Sequence, residues 1–320
     1  MATVHRATKR GTEEGFAPVV ALKRLLPHIA EDEHAVRAFV REAKLAALLR
    51  HPNIVQIYDL GRVGTTYYIA MEYVEGYSVL ELLRCAHIAG KPLPVDVVLA
   101  LLIELCDALE YAHTRADDTT GKPLGCVHRD VSPANLIITC AGHLKVIDFG
   151  VAKANLRQLD TQSGRIRGKL GYMSPEAVSR RPLDPRSDIY STGVVAHELL
   201  TAERLFGNSN TYEAVAARYR GEVIPPSMRN PLVPPDLDDA VLTALEPRPR
   251  DRWQTAGEMR DALHAIALIH SYRATCDRIT EWLNENFGDP QDPDAALLHA
   301  LDSDWLHDTK VDETGPNREA

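Results

Sequence analysis

The spacing of apolar positions changes part-way along the chain. Residues 3–7 and 17–24 read as short strands, the clearer being Pro18-Val19-Val20-Ala21-Leu22-Lys23, with Gly11-Thr12-Glu13-Glu14-Gly15 as the turn between them. From Asp32 to Leu49 the period becomes helical. Val36, Phe39, Val40, Ala43, Ala46 and Ala47 recur at three and four, and His51-Pro52-Asn53 closes the helix. Ile54–Leu60 and Thr66–Tyr73 alternate as antiparallel strands around Gly61-Arg62-Val63-Gly64. The pattern predicts a small antiparallel sheet carrying one helix. After Glu75-Gly76 the chain turns helical, over Ser78–Ala89 and over Pro94–Arg115, which is almost wholly apolar on one side. Residues 126–150 read as short strands and loops, and beyond Asp184 helices return through about Ser271. The predicted class is α+β, with the strands gathered first and the helices after them.

Residues 272–306 carry Ile279, Trp282, Leu283, Phe287, Leu297, Leu298, Leu301 and Trp305. One or two helices are expected there, packed on the helical part or on a partner. Residues 307–320 are polar and read as disordered. Composition adds one asymmetry. Residues 281–320 hold eleven acidic and two basic side chains, so the net charge of −9 lies in this tail and the rest of the chain balances. No basic face speaks for nucleic acid. No window of about 18 apolar residues predicts a membrane span, and no apolar run behind a basic start predicts a signal peptide. The five cysteines, Cys85, Cys106, Cys126, Cys140 and Cys276, form no C-x-x-C pair, which fits reduced thiols in a cytoplasmic protein.

Candidate chemistry concentrates in His128-Arg129-Asp130-Val131-Ser132-Pro133-Ala134-Asn135 and, thirteen residues beyond Asn135, Asp148-Phe149-Gly150. Phosphoryl transfer needs an acid oxygen to orient a hydroxyl and accept its proton, and oxygen ligands for magnesium. Asp130 can do the first; Asn135 and Asp148 can do the second. An H-R-D-x-x-x-x-N loop followed by D-F-G is the signature pattern of protein kinases. Over roughly residues 1–268 the chain resembles a bacterial serine/threonine protein kinase of the Hanks type, and its H-R-D-V-S-P-x-N form is similar to kinases of myxobacteria.

The resemblance implies a two-lobed fold: residues 1–75 as the first lobe, truncated at its first strand, 76–271 as the second, and 272–320 as an acidic extension. It implies ATP and Mg2+ as cofactors and a protein hydroxyl as acceptor. Lys23 of Val20-Ala21-Leu22-Lys23 would grip the α- and β-phosphates and pair with Glu42, while Val4 and Ala21 would contact the nucleotide from the sheet. Met71-Glu72-Tyr73-Val74 matches the connection between lobes, where backbone groups of Glu72 and Val74 would meet the adenine edge and Met71 the back of its pocket. The activation segment would run from Asp148 to Glu176, with a phosphate at Thr161 or Ser163 pairing with Arg129. Glu176 is expected to pair with Arg252 as a buried brace, and Asp188 to fix the backbone of the catalytic loop.

Three departures stand out. The glycine-rich loop is incomplete, because Val4 matches its closing valine and Met1 falls inside it. The expectation drawn from this is an internal methionine, with the true start upstream. Second, the lysine usual two residues after the catalytic aspartate is Ser132, and Gly168-Lys169-Leu170-Gly171-Tyr172 has Lys169 where threonine is usual. Lys169 is expected to supply the displaced positive charge, with Ser132 as its hydrogen-bond neighbour. Third, the link from Thr114 to Gly125 is long and reads as a surface turn or hairpin. Two rival functions stay open at this point: a pseudokinase that scaffolds partners, favoured by the missing glycines and Ser132, and a small-molecule phosphotransferase of related fold.

Overall fold

A computed structural model of the chain describes residues 2–8, 18–149, 170–206 and 212–287. Strands β1 (Ala2–Thr8), β2 (Val19–Leu25), β3 (Ile57–Val63) and β4 (Thr66–Glu72) form one antiparallel sheet in the order β1-β2-β4-β3. The register sets Val4 across from Lys23 and Ala21 across from Met71. Cross-strand partners share a face of the sheet, so Val4, Ala21, Lys23, Ile69 and Met71 lie together. A short helix α1 (Pro27–Ala30) leads into α2 (Glu33–Ala46), which starts at Asp32, whose side chain accepts from the His34 amide at 2.8 Å. The apolar stripe of α2 packs Phe39 and Ala43 on Leu25 and Ile69, a small core of its own.

The second lobe holds the main core. Its strand β5 (Gly76–Ser78) joins β6 (Leu136–Thr139) and β7 (Leu144–Val146) in a second small sheet. Helix α3 (Val79–Ala89) opens with a reciprocal cap, Ser78 Oγ accepting from the Glu81 amide at 3.2 Å and the Glu81 carboxylate from the Ser78 amide at 2.6 Å. Helix α4 (Val95–Thr114) runs through the centre, with Val97, Val98, Leu99, Leu105, Ala108 and Leu109 all sealed from water. Around it lie α5 (Pro175–Val178), α6 (Pro185–Thr201), α7 (Tyr212–Arg220), α8 (Pro235–Ala244), α9 (Ala256–Ile269) and α10 (Cys276–Phe287). Helix α10 packs Ile279, Trp282, Leu283 and Phe287 into the same core. It therefore covers the second lobe rather than waiting for a partner; the remaining apolar residues predicted for 288–306 fall outside the described residues.

Two predicted boundaries move. The strand expected at Ile54 begins at Ile57, because Ile54 and Val55 pair with the second lobe: Ile54 bridges Val146, and the Val55 amide donates to the Val146 carbonyl at 3.0 Å. Tertiary hydrogen bonding overrides the local alternation there. The expected turn at Gly61 is strand, and the turn falls at Gly64. Gly61 is tolerated within β3 because the Tyr68 ring occupies the space where a Cβ would point. The link from Thr114 to Gly125 forms the expected hairpin, Ala116 bridging Pro123 and the Asp117 amide donating to the Lys122 carbonyl at 2.9 Å. The turn predicted at residues 11–15 lies outside the described residues.

Candidate active site

The loop His128–Asn135 is held from beneath by one buried carboxylate. Asp188, 1% exposed, accepts from the His128 amide at 2.7 Å on Oδ2 and from the Arg129 amide at 2.8 Å on Oδ1. His113 Nε2 lies 2.8 Å from the same Oδ2. Arg129 has φ 64°, a left-handed conformation that a non-glycine residue holds at about 1–3 kcal/mol. The amide bonds to Asp188 and the buried His128 ring supply that restraint. His128 Nε2 donates to the Ile147 carbonyl at 3.0 Å, which makes Nδ1 the acceptor for the Asp130 amide at 3.2 Å. The ring also packs on Phe149, centroids 4.6 Å apart, so this loop and Asp148-Phe149 are fastened together.

Above this base the candidate oxygens converge. Asn135 Nδ2 donates to the Asp130 carbonyl at 2.7 Å and to its Oδ2 at 2.8 Å. The Asn135 carbonyl accepts from the Ile147 amide at 3.0 Å, which brings it beside Asp148. Asp148 has φ 57°, a second left-handed turn, and its carboxylate meets Lys23 Nζ at 2.8 Å. Lys23 also reaches Glu42 at 3.2 Å. Burial works to lower the Lys23 pKa, but the carboxylates of Asp148 and Glu42 outweigh it and hold the ammonium above its ordinary value. Lys23 is therefore a fixed positive charge between the lobes, carried on β2 and aimed by carboxylates from α2 and from the second lobe.

Met71 lies behind this cluster. With Val55, Ile57, Ile69, Val146 and Phe149 it lines a cavity of ≈ 20 Å³, room for about one water molecule. Val4 is 57% exposed on the outer strand, on the Lys23 face. Glu72 and Val74 form the connection between the lobes. Glu72 has a further role that its motif did not signal: its carboxylate pairs with Lys145 at 2.6 Å and tethers the two sheets. Ser132 is buried, and its Oγ has no hydrogen-bond partner among the described residues. Lys169, Thr161 and Ser163 lie outside the described residues. Glu176 and Arg252 make the expected buried pair, with two bonds at 2.7 and 2.8 Å. His113 was missed because only folding carries it 75 residues along the chain to Asp188.

A family model described as the protein kinase domain matches residues 1–265. The chain belongs to this family. Among curated relatives it is 39% identical over 301 residues to tyrosine-protein kinase MasK of Myxococcus xanthus, covering 94% of this chain and 46% of that protein. It is 38% identical over 246 residues to serine/threonine-protein kinase PknB of Mycobacterium leprae, covering 75% of this chain and 38% of that protein. It thus spans less than half the length of these relatives. The PknI kinase domain of Mycobacterium tuberculosis matches with a TM-score of 0.62 at 30% identity, over 83% of this chain and 91% of that one. The kinase fold follows from both lines: an antiparallel-sheet first lobe over a helical second lobe.

Proposed function

We propose that this kinase domain transfers the γ-phosphoryl group of ATP to serine or threonine hydroxyls of protein substrates, as a cytoplasmic signalling enzyme. The observation that carries the reading is the cluster in which Lys23 bridges Glu42 and Asp148 while Asp130 and Asn135 are joined beside it. The donor set fits magnesium, a hard cation that takes oxygen ligands. Asp148 offers a carboxylate and Asn135 its amide oxygen, the amide nitrogen being engaged by Asp130. Bound Mg2+ would neutralise charge on the phosphates. Lys23 would hold the α- and β-phosphates. Asp130 would orient the attacking hydroxyl and accept its proton, with Asn135 keeping the carboxylate in place. Val4, Ala21 and Met71, on the Lys23 face, and the backbone of Glu72 and Val74 would form the nucleotide's seat.

The two relatives carry different acceptors in their names, tyrosine for one and serine/threonine for the other. The loop after Asp130 reads Val131-Ser132-Pro133 and lacks the arginine-containing form of tyrosine kinases, which supports serine or threonine. The test is magnesium-dependent transfer of labelled phosphate from ATP to the chain and to a generic protein, followed by acid hydrolysis to identify the labelled amino acid. Phosphoserine or phosphothreonine, abolished by Asp148→Ala, is the expected outcome. Phosphotyrosine alone would reverse the acceptor, and no label with wild type would leave a scaffold.

Autophosphorylation at Thr161 or Ser163, pairing with Arg129, belongs to the same proposal. So does an exchange of charge across the site. Ser132 stands where the family has lysine, and Lys169 where it has threonine. The Ser132 side chain is buried, and its hydroxyl is without a partner among the described residues. Lys169→Ala is expected to lower kcat by about 10²–10³, the loss typical of one preorganised group on developing charge. Full kcat in that variant would remove Lys169 from the site.

A further inference from the structure

Three metal-ligating side chains meet on the second lobe, outside the residues assigned to phosphoryl transfer. Glu104 comes from α4, His143 from the turn between β6 and β7, and Cys276 from the first position of α10. Cys276 Sγ lies 3.1 Å from Glu104 Oε1 and 3.2 Å from His143 Nδ1, and His143 Nδ1 lies 3.1 Å from Glu104 Oε1. We propose that Glu104, His143 and Cys276 bind one zinc-class divalent cation, which clasps helix α10 to the body of the kinase domain.

The shape of the contact argues for chelation over a catalytic relay. In a relay the imidazole uses its two nitrogens in opposite directions, one to the nucleophile and one to the orienting carboxylate. Here both neighbours approach the same nitrogen, Nδ1, and the thiol also touches the carboxylate. Three donor atoms form a nearly equilateral triangle. Tetrahedral zinc with ordinary Zn–S, Zn–N and Zn–O lengths separates such atoms by about 3.4–3.6 Å, so a few tenths of an ångström of outward movement admits the ion. The His143 side chain is 54% exposed, leaving the fourth position to water.

The triangle is built by the fold. Glu104 Oε2 accepts from the Leu144 amide at 2.5 Å, which turns Oε1 toward the other two ligands, an outer-sphere support of the kind metal sites use. Helix α10 is placed independently of any cation by its buried apolar face and by the Arg278–Asp96 ion pair at 2.8 Å. Gly142, at φ 77°, lets the β6–β7 turn approach the first turn of α10; any side chain there would collide with the Cys276 carbonyl. Thiolate, imidazole and carboxylate together favour zinc and its neighbours over magnesium, so the Mg2+ expected at Asn135 and Asp148 does not compete. Binding converts the Cys276 thiol to thiolate and releases its proton to solvent. Burial and the Glu104 carboxylate push that thiol up to about 12, so the ion has to displace a firmly held proton.

The test uses the full chain, stripped with chelator under reducing conditions and titrated with Co2+. The expected result is a thiolate-to-cobalt charge-transfer band that saturates at one ion per chain and is bleached by Zn2+. Cys276→Ser loses the band. His143→Ala, at an exposed position that does not threaten folding, weakens binding by more than about tenfold, the least expected even for removing an outer-sphere partner. Cys140→Ser and Asp148→Ala keep the band, which assigns it to neither the exposed Cys140 nor the nucleotide site. Zn2+ raises the melting temperature of wild type and not of Cys276→Ser. No charge-transfer band in wild type, or one unchanged by Cys276→Ser, overturns the proposal.

Discussion

Asp130→Asn is expected to lower the rate of phosphoryl transfer by about 10²–10⁴, the range for removing a positioned general base. Asparagine has the size of aspartate, and its amide oxygen can still accept from Asn135 Nδ2, the bond now made at 2.8 Å. The loop itself is held elsewhere, by Asp188 on the His128 and Arg129 amides. The variant should therefore melt with wild type and bind nucleotide with unchanged affinity, since Lys23, Asn135 and Asp148 are untouched. The loss should fall on kcat. Single-turnover transfer rates and nucleotide titration measure the two separately. A variant within threefold of wild type in kcat would exclude Asp130 as the group that orients the hydroxyl.

Arg252→Ala is expected to cost about 3–5 kcal/mol, the usual penalty for stripping one partner from a buried ion pair. The Arg252 side chain is fully buried. Its guanidinium donates to both oxygens of Glu176 at 2.7 and 2.8 Å and to the carbonyls of Glu246, Pro247 and Arg186 at 2.7, 3.0 and 2.9 Å. It also lies 4.9 Å from the Tyr190 ring centroid. Alanine would orphan three carbonyls and leave the Glu176 carboxylate with only the Ser187 hydroxyl, at 2.7 Å, of these partners. A drop of roughly 6–20 °C in melting temperature follows from the usual scaling for domains of this size.

The same pair makes stability depend on acid. Burial pushes the Glu176 carboxyl up, but the bonds and charge of Arg252 and the Ser187 hydroxyl outweigh it and hold its pKa at about 2, against 4.5 ordinarily. A depressed carboxylate contributes its full stabilisation above its unfolded value and loses it as pH falls toward the folded one. That contribution, about 3 kcal/mol from the width of the shift, should fade between about pH 4.5 and pH 2. Melting curves of wild type and Glu176→Gln should accordingly converge over that interval. Parallel curves across it, or an Arg252→Ala variant that melts within 2 °C of wild type, would mean the brace does not hold the lobe.

The element types, and the strings proposed to be catalytic, could be read from the residues because both are local. A stripe such as Val36, Phe39, Val40 and Ala43 needs only its neighbours to define a helix face. His128 to Asn135 spans one loop, and Asp148 follows after one hairpin, so spacing alone marks them as candidates. Distant partners were legible only where the family resemblance supplied them, as for Glu176 with Arg252 and for Asp188 beneath the loop; elsewhere they were not. His113 meets Asp188 across 75 residues, and no periodicity reports such an encounter. Ile54 and Val55 read as ordinary strand, yet Val146 captures their backbone for the other lobe.

The apolar groups of residues 272–306 pointed to one or two helices, and α10 (Cys276–Phe287) is one of them. Its destination against α4, and with it the meeting of Cys276 with Glu104 and His143, was decided only in three dimensions. Burying an apolar face is favourable against any matching surface. The surface chosen depends on shape, on the Arg278–Asp96 pair and on the space that Gly142 leaves open. Local sequence thus determined what most segments are and which residues are candidates for the chemistry. Long-range packing and hydrogen bonding decided where the segments meet, because those energies exist only once the chain has closed on itself.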